Sequence, residues 1–155
     1  MAKERIKKDS EEINNYKHNG DDFIVDIYEI GNYQIQICIK GPDDSPYKSY
    51  LFFLNFQFSN EYPQIPPQVT FMNKIFHPNI NILGYIYLSI LKDDWRSDYT
   101  IYTILMKIKQ LLKEPDADNS FFPEATSLYL KKKLEQNFEF EKKAKDWAQK
   151  YAIFN

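Results

Sequence analysis

At 155 residues, with 43% hydrophobic and 17% aromatic side chains, the chain carries enough apolar surface for one folded domain spanning residues 1–155, and too much for a disordered one. Its 20 basic and 22 acidic side chains are mixed along the sequence and sum to a net charge of −2, so no extended basic face is available and nucleic acid is not an expected partner. One cysteine (Cys38), two histidines without metal-ligand spacing (His18 and His77) and four unclustered glycines exclude a disulfide framework, a structural zinc and the phosphate-cradling loops of nucleotide sites, so no cofactor or metal is expected.

The opening "MAKERIKKDS" is charged and lacks the apolar core of a secretory signal. No later stretch approaches the roughly 18 apolar residues of a membrane span. The expected setting is therefore the cytoplasm and/or the nucleus, without a membrane partner. Residues 3–16 are strong helix formers with Ile6 and Ile13 a heptad apart, which predicts a short amphipathic helix. Lys3, Arg5, Lys7 and Lys8 decorate its start, either as a solvated face or as a docking surface.

"NGDDF" supplies turn residues, and four β-rich runs follow: "FIVDIYEI", "NYQIQICIK", "LFFLNFQFS" and "QVTFMNK". Their short separators predict an antiparallel meander. In the second run Ile35, Ile37 and Ile39 point one way, and Gln34, Gln36, Cys38 and Lys40 the other. Cys38 is thus expected on the polar face, away from the core and without a group to lower its thiol pKa from about 8.5.

Residues 76–98, with Pro78, Gly84 and Trp95, form an irregular segment longer than loops of a compact domain normally run, which marks a functional loop. Thr100 then caps a helix in which Ile101, Ile104, Leu105, Ile108, Leu111 and Leu112 recur at three- and four-residue intervals, the face of a central core helix. "EPDADNSFFPE" ends it, and from Pro123 to the end Leu128, Leu134, Phe138, Ala144, Trp147, Ala148 and Tyr151 recur at near-helical spacing. Strands flanked by helices, without βαβ alternation, predict an α+β fold with helices on one face of an antiparallel sheet.

Taken in order and spacing, "KGPDDSPY", "NEYPQIPPQVTF", "IFHPNINILG", "LSILKDDW", "LLKEPDADNSFFPEA" and "KDWAQKYA" resemble the ubiquitin-conjugating enzymes from about residue 5 to the end. The resemblance implies the fold of that family and its chemistry, in which a cysteine accepts the C-terminal carboxyl of ubiquitin as a thioester and passes it on. In the family that cysteine follows the Asn of His-Pro-Asn by eight residues, and counting from Asn79 gives Tyr87, with Ile86, Leu88, Ile90, Leu91 and Trp95 all in register. The nucleophile is substituted rather than displaced by a gap. A phenol, with a pKa of about 10, is a weaker nucleophile at neutral pH than a thiol, and its ring carries the oxygen past the attack position.

The resemblance also implies that Asn79 would stabilise the oxyanion, that His77 braces the loop, and that acidic family positions are Ser89 and Asn119 here, where the charge that orients an incoming amine is lost. In the ligase-docking patch Tyr62 and Pro63 remain, while Gln64 and the "RSD" stretch beginning at Arg96 replace apolar or small residues. Arg5 and Lys8 match basic positions that engage the activating enzyme, though Glu4 stands where another basic residue is common. Two functions follow from the resemblance. One is a catalytically inactive variant that binds ubiquitin, a ubiquitin-like protein or an active conjugating enzyme and regulates ubiquitination. The other is an active ubiquitin-conjugating enzyme whose Cys has been altered to Tyr87.

Overall fold

The computed structural model describes residues 1–17 and 19–154; His18, one of the two histidines considered above, lies outside the described residues. The chain runs α1 (Ala2–Lys17), β1 (Ile24–Gly31), β2 (Gln34–Lys40), β3 (Tyr50–Gln57), β4 (Gln68–Phe71), α2 (Ile101–Lys113), α3 (Pro123–Glu135), α4 (Glu139–Tyr151) and β5 (Ile153–Phe154). This is the α+β architecture expected from the sequence. β1 to β4 pair antiparallel in sequence order, as the short connections require.

The two faces of the sheet follow the two-residue period. Ile35, Ile37 and Ile39 of β2 and Phe52, Leu54 and Phe56 of β3 are buried, and they join the apolar face of α2 in one core cluster. All six α2 positions expected to be apolar and inward are buried. The helix starts where the Thr100 hydroxyl accepts from the Thr103 amide and the Thr103 hydroxyl accepts from the Thr100 amide.

Several expectations need correction. Cys38 does lie on the outer sheet face, opposite Asp26 and Phe53, yet it is only 3% exposed. Asp26 and Phe53 flank it on the neighbouring strands, and burial, with a smaller contribution from the Asp26 charge, raises its thiol pKa. The C-terminal helices do not run to the end of the chain, because β5 pairs with β3 through Leu51 with Ile153 and Tyr50 with Phe154. Leu134 and Phe138 are 82% and 69% exposed, so they are not core residues. α3 stops at Gln136, which adopts the left-handed conformation, and the break resets the helical phase before α4, where Ala144 and Ala148 are fully buried.

Two polar side chains of α1 are buried: the Ser10 hydroxyl donates within the helix to the Ile6 carbonyl at 2.9 Å, and Asp9, between Ile6 and Ile13, ties the helix down by accepting from the Ile101 amide at 3.3 Å. A second anchor is Tyr47, wholly buried, whose hydroxyl donates to the Phe76 carbonyl and so fastens the loop before β3 to the residue preceding His77. No helix among the described residues is long and apolar enough to cross a membrane.

Candidate functional site

The segment from Ile75 to Ile80 is buried along its whole length, and it is held by polar groups far away in sequence. His77 donates from Nε2 to the Leu111 carbonyl in the last turn of α2 at 2.8 Å, and its Nδ1 accepts from the Asn79 amide at 3.0 Å. A carbonyl only accepts and an amide N–H only donates, so the partners fix a neutral ring protonated on Nε2. Burial pushes the His77 pKa down to about 4, against a smaller upward pull from the Leu111 carbonyl. With both nitrogens committed and the ring sealed, His77 has no site left to take a proton from a substrate.

Asn79 is equally committed. Its Nδ2 donates to the carbonyls of Asp116 at 2.7 Å and Asn119 at 2.8 Å, and its Oδ1 accepts from the Asp116 amide at 2.8 Å. An amide side chain has two N–H donors, and both are used on backbone oxygens. An oxyanion could recruit the Asn79 amide only by breaking one of these bonds.

The loop receiving Asn79 is itself braced. Asn119 donates from Nδ2 to the Asp116 carboxylate at 2.7 Å, and the Asp118 amide donates to the other carboxylate oxygen at 3.0 Å. Asn119 and Asn79 are thus brought together through Asp116. The amides of Phe121 and Phe122 complete the join by donating to the Pro78 carbonyl at 2.8 and 3.1 Å.

Tyr87 reaches the same frame from the other side, its amide donating to the Asn79 carbonyl at 2.8 Å. Upstream, Gly84 makes the turn with φ of +89°, and a Cβ there would fall 2.1 Å from the Phe71 carbonyl oxygen, so only glycine fits. The Tyr87 ring is half-buried and stands edge-on to Phe121, centroids 5.3 Å apart. Lys92 lies over both rings, its Nζ 5.1 Å from the Tyr87 centroid and 5.4 Å from that of Phe121. Ser89 is exposed and opens a single 3-10 turn (Ser89–Leu91), its carbonyl accepting from the Lys92 and Asp94 amides. Among the described residues, no sulfur and no carboxylate is hydrogen-bonded to the Tyr87 side chain.

A buried His-Pro-Asn bracing a loop, on a meander sheet with a central helix behind it, is matched by the family model described as ubiquitin-conjugating enzyme over residues 5–148, nearly the whole chain. The chain belongs to the ubiquitin-conjugating enzyme family. It is therefore a protein of the ubiquitin-conjugation pathway, and domains of this family interact with ubiquitin, with activating enzymes and with ligases.

In this ubiquitin-conjugating enzyme family member the residues read as docking positions divide by exposure. Lys8 and Gln64 are exposed, as is Arg96, whose guanidinium pairs with Asp98 through contacts of 3.0 and 2.9 Å. Arg5 is mostly spent inside the protein. Its guanidinium donates to Asp9 at 2.9 Å, to the Ser97 carbonyl at 3.0 Å and to the Tyr99 carbonyl at 2.7 Å, and it lies over the Tyr62 ring. Tyr62 is buried and donates its hydroxyl to the other oxygen of Asp9, which raises the phenol pKa far above its usual value, burial being the larger cause. Pro63 accepts from the Trp95 indole N–H at 2.8 Å.

Sequence reasoning missed four residues here: Asp9, Asp116, Lys92 and Phe121. Asp9 stands three residues after Ile6 and four before Ile13, on the apolar stripe, which is a readable signal of a buried acid. Asp116 sits in a Pro-Asp turn stretch whose backbone partners are not visible in sequence. Nothing in the sequence brings Lys92 and Phe121 together.

Proposed function

We propose that this protein is a catalytically inactive ubiquitin-conjugating-enzyme variant, which binds ubiquitin or an active conjugating enzyme and regulates or directs ubiquitination. One observation carries the reading: the position aligned with the family nucleophile is Tyr87, a half-buried phenol packed on Phe121 and capped by Lys92, with no thiol beside it. The two neighbouring residues are committed to holding the loop. His77 is neutral, sealed and doubly bonded, and the Asn79 amide is saturated by Asp116 and Asn119. Ser89 and Asn119 offer no carboxylate to steer an amine, and Asp116 in the same loop is engaged by Asn119.

Cys38 offers no substitute. It is buried on the far sheet face with its thiol pKa raised, the opposite of a reactive thiolate. On this reading Lys8, Gln64 and Arg96 are the exposed docking positions for an activating enzyme or a ligase, while Arg5, Tyr62 and Pro63 shape those surfaces from within. An intact His-Pro-Asn frame favours a second reading, an active conjugating enzyme altered at position 87.

Incubation with activating enzyme, ubiquitin and ATP, followed by a non-reducing gel, tests the proposal. No reductant-sensitive adduct is expected. A reductant-sensitive adduct, which Cys38→Ala would trace to the one cysteine, or a reductant-stable, alkali-labile ester that survives Cys38→Ala and is lost in Tyr87→Phe, would overturn the inactive reading. Charging of Tyr87→Cys would show that the frame alone still supports transfer, and titration of labelled ubiquitin measures the binding role.

A further inference from the structure

The helical hairpin of α3 and α4 carries two sets of charges that are used differently. Two ion pairs run between the helices, Lys143 of α4 to Glu124 of α3 and Glu141 to Lys132, and tie the two 13-residue elements into one unit. On the outer face of α4 stand Glu139, Lys142, Asp146 and Lys150, all exposed, opposite the buried Phe140, Ala144 and Ala148. None of these four forms an ion pair among the described residues, although Lys142 and Asp146, and Asp146 and Lys150, are spaced four apart on one helix. Beside them a groove of about 660 Å³ runs between the helices, floored by half-buried Leu128 and Trp147. The indole is fixed there by edge-to-face contacts with Phe122 and Tyr151, at centroid distances of 5.6 and 5.5 Å.

We infer that this face docks onto a second copy of the chain: two hairpins meet about a two-fold axis, α4 antiparallel to α4, as a weak homodimer. The order of the four charges selects the partner. Along α4 it runs acid, base, acid, base, and in reverse it runs base, acid, base, acid. In an antiparallel pair centred at the level of Ala144, Glu139 therefore meets Lys150 of the second copy and Lys142 meets Asp146 of the second copy, each contact occurring twice by symmetry. A parallel pairing would set each charge against its own like. Facing grooves bring Leu128 and Trp147 of both copies into the middle of a four-helix arrangement, which adds the apolar contact that exposed ion pairs lack. Each hairpin offers a face about 20 Å long and about 20 Å across, or roughly 400 Å². That is about half of what each partner buries in a stable interface, so the pair is transient and sensitive to salt.

Sedimentation equilibrium of the full chain, from about 10 μM to about 1 mM, tests the pairing. The expected result at low salt is self-association with a dissociation constant of about 10⁻⁴ M, weakened about tenfold in about 0.5 M salt. Lys142→Glu and Asp146→Lys are each expected to abolish it, because each sets like charges together twice across the axis. These two substitutions move the net charge of −2 in opposite directions, so weakening by both is not a net-charge effect. Mixed one to one, the two variants should associate at least as tightly as the unsubstituted protein, since every contact in the mixed pair again joins opposite charges. A monomer throughout the range, association indifferent to salt, association that either substitution leaves unchanged, or a mixture no tighter than its components would each overturn the inference. The salt dependence is read on the unsubstituted protein and needs no variant to fold. No ubiquitin or activating enzyme is present, so the outcome is independent of the reading of Tyr87.

Discussion

The buried frame at Ile75 to Ile80 and the partly exposed mouth at Tyr87 to Asp94 belong to one loop and are built on opposite terms. In the frame the polar side chains reach backbone of distant elements, His77 to Leu111 and Asn79 to Asp116 and Asn119, with one local bond from the Asn79 amide to His77 Nδ1. In the mouth the side chains contact one another, Tyr87 with Phe121 and Lys92 with both. Stability is concentrated in the first and chemical identity in the second. A residue can therefore change at the mouth without unmaking the loop that presents it.

The strongest way to break this contrast is Asn79→Ala. It removes three hydrogen bonds and strands the Asp116 amide and the Asn119 carbonyl, with an expected loss of about 3 kcal/mol in urea unfolding. Next is pH. Because the folded pKa of His77 is about 4 against 6.5 for the free ring, its contribution is full above pH 6.5. It is lost as pH falls from there towards 4, since the unfolded chain takes up the proton first. The unsubstituted protein should lose about 3 kcal/mol over that window through this group, and the stability gap to His77→Gln should narrow by the same amount. A gap independent of pH would mean that the ring is not sealed.

At the mouth the expected effects shrink. Tyr87→Cys gives up one edge-to-face ring pair on a half-buried side chain, about 1 kcal/mol, and leaves the denaturant slope unchanged. Lys92→Ala should cost about 0.5 kcal/mol or less, because an exposed ammonium is well hydrated in either state. If either mouth substitution proved as costly as Asn79→Ala, the division between frame and mouth would fail.

How much of this was legible depended on the range of the interactions. α2 and its Thr100 cap could be read because periodicity and capping are local, and Ile35, Ile37 and Ile39 because strand alternation is local. β5 could not: two residues carry no period, and their pairing partner lies about a hundred positions away. The near-helical spacing of Leu134 and Phe138 does not register where one helix stops and the next begins, so their exposure could not be read from it. At the site, counting from Asn79 located Tyr87, but the saturation of Asn79 depends on Asp116 and Asn119, whose backbone positions are fixed by the tertiary fold. Asp9 was legible from its place between Ile6 and Ile13 on the apolar stripe, but its partners Tyr62 and Ile101 were not, since they lie on distant elements.

Arg5 acts like a bolt through three plates. One guanidinium fastens α1 through Asp9 to the carbonyls of Ser97 and Tyr99, and the same carboxylate holds Tyr62, next to the Pro63 whose carbonyl takes the Trp95 indole. A load applied to α1 is carried at once to residues 62–63 and 95–99, with no slack in a flexible linker to absorb it. Anything that grips the first helix therefore also holds the face around Gln64 and Arg96, and the two surfaces move as one part.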